Sequence, residues 1–67
     1  MFTLKISDMS CGHCVRTIDA AVRTVDGRAS IAADLDAHLV EVRSDADEAA
    51  LRRAIAEAGY ENEKIPA

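Results

Sequence analysis

The stretch Asp8-Met9-Ser10-Cys11-Gly12-His13-Cys14 carries both cysteines of the chain. Two thiols separated by two residues converge when a loop runs into the first turn of a helix. Such a pair can supply half of a four-ligand zinc site, act as a redox dithiol, or hold a soft ion that needs few ligands. With no third cysteine, a four-cysteine zinc site cannot close within one molecule. A site of two cysteines and two histidines would need His13 and His38, which lack finger spacing. Haem attachment requires a histidine directly after the second cysteine, and here Val15 follows Cys14. Two thiolates without hard oxygen ligands select soft ions. Cu(I) is satisfied by two sulfurs in a near-linear arrangement, whereas Zn(II) would remain two ligands short.

The flanking elements must hold this loop at a surface. Phe2, Leu4 and Ile6 alternate with Thr3, Lys5 and Ser7, the period of a strand with one buried face, which delivers the chain to the cysteines. Ser10 is the expected N-cap of the following helix, where Val15, Ile18, Val22 and Val25 recur along one face and Gly27 supplies the stop. Cys14 then falls in the first turn, where unpaired N–H groups and the helix dipole favour thiolate. Gly12 either leaves room for an ion or makes a tight turn.

A second strand is expected over Ala29 to Leu35, a turn over Asp34 to Ala37, and a returning strand over His38 to Arg43 with Val40 and Val42 inward. Leu39 breaks the alternation, and its environment stays open. Ser44 with Asp47 and Asp45 with Glu48 form overlapping capping-box patterns ahead of a second helix carrying Leu51, Ala54, Ile55 and Ala58 and ending at Gly59. Glu61 to Ile65 reads as a short fourth strand, ended by Pro66. The order βαββαβ leads to an α+β, ferredoxin-like sandwich: a four-stranded antiparallel sheet with two helices on one face. That topology gathers Cys11, Cys14 and Tyr60 at one end.

Composition restricts the function classes. At 67 residues the chain is expected to form a single domain, 1–67, burying only about 60% of its unfolded surface, so a deep catalytic pocket is not expected. Hydrophobic residues make up 49% but aromatics only 3%, which implies a thin aliphatic core. A net charge of −4 without a basic cluster argues against nucleic acid, since phosphate binding needs a basic footprint. No apolar run approaches a membrane span and no signal-peptide pattern opens the chain, so a cytoplasmic location with both cysteines as thiols is expected.

Met9-Ser10-Cys11-Gly12-His13-Cys14 matches the Met-x-Cys-x-x-Cys signature of heavy-metal-associated domains. The similarity continues through Ile18 and Val22, Val25-Asp26-Gly27, Ile31, Ala33, Asp34-Leu35, Val40, Val42, Ala54-Ile55 and Ala58-Gly59-Tyr60. The chain resembles the CopZ-type copper chaperones of that family over nearly its whole length. The resemblance implies the same fold and a non-enzymatic role. Cys11 and Cys14 would bind Cu(I) and pass it by thiolate exchange to the metal-binding domain of a copper-transporting P-type ATPase. A copper-bridged homodimer is a further expectation. Mercury, zinc and cadmium are alternative cargoes on the same scaffold. Met1 directly before strand one and an end just past strand four fit a free carrier, and fit equally a segment of the exporter itself.

Around the pair, the resemblance implies that Met9 packs inward, although a thioether is also a soft ligand. It also places Tyr60 close to the metal loop, where the hydroxyl would restrain a thiolate or the ring would shield the ion. A contact back onto the second helix is the other reading of Tyr60. His13 faces solvent, as a third ligand or as a group that tunes loop charge. His38 reads as an ordinary strand residue. Asp8, Asp34, Asp36 and Glu61 against Arg16 make the metal end acidic, suited to a basic partner face. Cys-Gly-His-Cys is also the active-site tetrapeptide of protein disulfide isomerases. A thiol-disulfide oxidoreductase is therefore the alternative from another class, although Ser10 precedes Cys11 where the thioredoxin family carries an aromatic residue.

Overall fold

Alternation of apolar and polar side chains produces four strands, and apolar spacing of four produces two helices. In the computed structural model, which describes residues 1–65, the elements are β1 (Phe2–Lys5), α1 (Gly12–Val25), β2 (Ser30–Asp34), β3 (Leu39–Arg43), α2 (Glu48–Glu57) and β4 (Glu63–Ile65). The strands form one antiparallel sheet in the order β2-β3-β1-β4. Each helix therefore follows a strand and crosses over a neighbouring one before the chain re-enters the sheet, the ferredoxin-like arrangement. The short dimension of the molecule, 17 Å against 26 Å for the other two, is that of one helix layer on one sheet layer.

Register decides which side chains meet. Phe2 lies opposite Val42 and Leu4 opposite Val40, while Val42 and Val40 lie opposite Ile31 and Ala33 on β2. These residues share the helix-facing side. Ile18 and Val22 of α1 and Leu51 and Ile55 of α2, each pair one turn apart, close over Leu4, Val40 and Val42, and all seven are fully buried. Ile6, Met9 and Ala29 complete the core. Complete burial of one such aliphatic side chain contributes roughly 1.5–3 kcal/mol. At roughly 0.05–0.15 kcal/mol per residue, a chain of this length retains only a few such increments as net stability. On the same face Lys64, opposite Leu4, reaches Glu48 at the start of α2 with Nζ–Oε2 3.1 Å.

Several local expectations are corrected. Cys11, not Ser10, is the N-cap of α1, in extended conformation and without a side-chain cap bond. The chain turns helical one residue later, at Gly12. Val25, the last residue of α1, is 39% exposed and does not join the buried face of Ile18 and Val22. Gly27 is not left-handed; the helix ends at an extended Asp26, whose carboxylate accepts the Arg28 amide at 3.0 Å and the Ser44 hydroxyl at 2.6 Å. Ser44 is thereby drawn away from the expected capping box and accepts the Ala46 amide at 3.0 Å. The N-cap of α2 is Asp47, again without a side-chain cap bond.

At the other end of α2 the stop at Gly59 is confirmed by its φ of 101°. Gly59 N–H bonds Ala56 O at 3.0 Å and Tyr60 N–H bonds Ile55 O at 3.2 Å, the paired closure of a Schellman motif. Leu39, opposite both Lys5 and Asp34, lies on the open face of the sheet and is half-buried there. His38 belongs to the turn and not to β3. Pro66 lies outside the described residues.

Candidate metal centre

The cysteine loop leaves β1 as a tight, anchored turn. Ile6 N–H bonds His38 O at 2.8 Å and Met9 N–H bonds Ile6 O at 3.1 Å. The side chains of Ile6 and Met9 are both completely buried, so the turn is pinned to the core at each end while Ser7, Asp8 and Ser10 remain exposed. Burial of Met9 beneath the loop accounts for it as a core residue. After exposed Ser10 comes Cys11 at the N-cap, and one turn on is Cys14.

Both cysteines are free thiols, Cys11 exposed and Cys14 half-buried. Their Sγ atoms are 3.4 Å apart, and Cys14 Sγ lies 4.0 Å from Asp8 O. Cys14 is acidified from the ordinary 9.0 to about 7. The largest cause is the Tyr60 hydroxyl, followed by the backbone of Ser10 and the Cys11 thiol, with desolvation opposing them. Hydrogen bonds to a thiolate favour the charged form, and the start of α1 adds a positive dipole end. Reciprocally, hydrogen bonding to Cys14 is the largest influence pushing the Tyr60 phenol up, followed by desolvation and the charge on Cys14, while the Thr17 side chain pulls it down.

Tyr60 reaches this position because the segment after α2 is clamped. Arg52 Nε donates to Asn62 Oδ1 at 2.9 Å and Asn62 Nδ2 donates to Arg52 O at 3.1 Å and Tyr60 O at 3.4 Å. The Tyr60 ring also packs against the core.

Gly12 is exposed, does not have positive φ, and an added Cβ would meet nothing within 4 Å. No tight turn requires it, and the space above it is open. His13 is exposed, and its carbonyl accepts the Thr17 hydroxyl at 3.0 Å. Among the described residues no three His, Cys, Asp or Glu side chains gather into a group that could hold a metal. The donor set at this end is the pair of thiols. Asp8, Asp34, Asp36, Glu61 and Arg16 are all exposed, and no helix among the described residues is long and apolar enough to cross a membrane.

Two contributors escaped the sequence reading. Thr17 sits three residues after Cys14, so helical spacing alone would have placed it on the same face. His38 is held at φ 57°, and its Nδ1 lies 2.9 Å from Met9 O, 29 residues away in the chain. The available signal was turn chemistry: histidine is among the non-glycine residues enriched in the left-handed region.

The geometry agrees with comparison to known proteins. The heavy-metal-associated domain model matches residues 3–61. The chain is 36% identical to the copper chaperone CopZ of Bacillus subtilis over 62 residues, 88% of this chain and 90% of that protein. Among solved structures it is similar to the copper chaperone Atx1 from Synechocystis PCC6803 in a trimeric Cu1 form, with 35% identity, TM-score 0.90, and coverage of 94% of this chain and 100% of the other. A copper-binding domain of HMA7, a P-type ATPase, shares the fold at TM-score 0.83 and 24% identity, covering 97% of this chain and 92% of that one. With a family model spanning most of its length and a relative of this similarity, the chain belongs to the heavy-metal-associated domain family.

Proposed function

We propose that the chain is a cytoplasmic Cu(I) chaperone, a single carrier domain and not an enzyme, in which Cys11 and Cys14 bind one ion as thiolates. The observation that carries this reading is the pair itself. Two accessible sulfurs 3.4 Å apart stand at a helix start, one acidified to about 7, with no further ligand group gathered around them among the described residues. Such a donor set suits a soft ion of low coordination number. Curated relatives named copper chaperones support copper in particular.

Loading requires a small movement. Two thiolate bonds of ~2.3 Å, the length zinc makes to sulfur, span about 4.6 Å when collinear, so the sulfurs part by roughly 1 Å. Exposed Cys11 has more room to move than half-buried Cys14, whose Sγ lies 4.0 Å from Asp8 O. Met9 and Ser10 shape the loop, Gly12 leaves the approach open, and His13 contributes charge at the rim.

An ion held by only two sulfurs accepts a third thiolate before releasing the first pair. Cargo then passes to the metal-binding domain of a copper-transporting P-type ATPase without becoming free. The acidic rim of Asp8, Asp34, Asp36 and Glu61 steers this encounter toward a basic face, so transfer slows as salt rises. Transfer rates insensitive to salt would remove that part of the reading. The same exposed geometry permits a copper-bridged homodimer through four thiolates.

The test is an anaerobic titration of the reduced protein with Cu(I) against a competing chelator, repeated with Zn(II) and with Cys11→Ser, Cys14→Ser. One tightly held Cu(I) per chain, abolished by the double substitution and not displaced by zinc, is expected. Weak Cu(I) binding, or successful zinc competition, would overturn the copper assignment and return mercury, zinc or cadmium carriage to consideration. Insulin reduction by the metal-free protein would instead point to a disulfide oxidoreductase.

A further inference from the structure

The geometry points to His38 as a positioning residue for the dithiol: a single side chain across the molecule that holds the metal loop in shape. The inference rests on reading Cys11 and Cys14 as the metal site. Its basis is a closed ring of hydrogen bonds. His38 O accepts the Ile6 amide at 2.8 Å, Ile6 O accepts the Met9 amide at 3.1 Å, and the His38 ring meets Met9 O at 2.9 Å through Nδ1. One residue thus grips both ends of the turn Ile6 to Met9. A carbonyl oxygen can only accept, so Nδ1 carries the proton in this contact.

The turn so held is the one that places the sulfurs. Asp8, within it, presents the carbonyl 4.0 Å from Cys14 Sγ, and Met9 is separated from Cys11 by one residue. The backbone of His38 is unusual in the same direction. Its φ of 57° lies in the left-handed region, which non-glycine residues occupy uncommonly, although histidine, asparagine and aspartate are enriched there. Glycine would adopt this conformation freely but could not donate to Met9 O. The half-buried His38 combines this backbone conformation with a ring nitrogen 2.9 Å from Met9 O, so the ring supplies a contact that glycine in the same conformation would lack.

Two substitutions separate backbone from ring. His38→Gly accommodates the left-handed conformation and removes the donor. His38→Asn also tolerates it and carries an amide nitrogen the same number of bonds from Cα as Nδ1. Both are compatible with folding. Hydrogen exchange of the Met9 amide in the reduced, metal-free chain reads the turn directly, and the β1/β3 ladder amides report global stability. Relative to that ladder, the Met9 amide of His38→Gly is expected to exchange roughly three- to tenfold faster than wild type, the range set by loss of one net hydrogen bond. His38→Asn should return to within about twofold, the residual expected for a somewhat weaker donor. Cu(I) competition should show the same order, with His38→Gly weakened several-fold and His38→Asn restored.

Equal Met9 exchange in His38→Gly and wild type would overturn the inference. So would His38→Asn behaving like His38→Gly, or unchanged Cu(I) affinity in His38→Gly despite a loosened turn. Failure of the wild-type chain itself to bind Cu(I) would defeat the chaperone reading, and the exchange comparison would still decide whether His38 holds the loop.

Discussion

Replacing Tyr60 by Phe removes one oxygen and leaves the ring that packs against the core. Cys14 falls from 9.0 to about 7, about a hundredfold in its ionisation constant. Four influences lower it and one raises it, with the Tyr60 hydroxyl the largest. The largest of four contributions is at least a quarter of the total on a logarithmic scale, so its loss weakens ionisation by about threefold or more. At pH 7 the thiolate fraction then drops from about one half to about one quarter or less. Alkylation of Cys14 slows accordingly near neutrality, and the difference vanishes at alkaline pH where both proteins are fully ionised.

The assay is a titration of thiolate ultraviolet absorbance, with and without Tyr60→Phe, in a Cys11→Ser background so that one thiol is observed. Stability carries the same sign. A folded pKa below the unfolded one means that the unfolded chain binds more protons in between. The contribution is therefore fully present above about 9 and is lost as pH falls through about 7, and Tyr60→Phe should flatten this dependence. An unchanged Cys14 midpoint in the variant would refute the role assigned to the hydroxyl.

Met9→Leu should retain Cu(I) binding and cost less than about 1.5 kcal/mol, whereas Met9→Ala should cost about 2–5 kcal/mol. A large loss of Cu(I) affinity in a fully folded Met9→Leu protein would show the thioether to be a ligand after all. Denaturant unfolding of Ile18→Ala or Leu51→Ala, both buried completely, should likewise show losses of about 2–5 kcal/mol, and a smaller penalty would mean that the site collapses around the missing atoms. Gly12→Ala, at a helical position where an added Cβ would meet nothing within 4 Å, should raise stability by about 0.4–1 kcal/mol; a lower melting temperature would contradict that geometry.

The alternation of Phe2, Leu4 and Ile6 and the helical spacing of Ile18 with Val22 and Leu51 with Ile55 were sufficient to name the elements, their order and the core. Burial period is a local property, and each segment declares it without reference to the others. The dithiol was legible for a similar reason, since two residues of separation on a helix start bring two sulfurs together whatever lies beyond. Gly59 likewise announced the end of α2, because a left-handed closing residue favours glycine.

Competition between partners was decided only by tertiary structure. Ser44 suited a capping box, but Asp26 lies close enough to accept its hydroxyl at 2.6 Å, and a charge-assisted bond outcompetes a neutral local one. His38 suited a strand by its flanking residues, yet the tight link between β2 and β3 demanded a left-handed residue, and the neighbouring loop offered Met9 O to its ring. Leu39 broke the pattern because its direction is set by register against Lys5 and Asp34. The acidity of Cys14 belongs to the same class. The sequence carries the cysteine, but the Tyr60 hydroxyl that lowers its pKa belongs to a residue far along the chain, brought near by the packing of α2 against α1 and the Arg52–Asn62 clamp after α2.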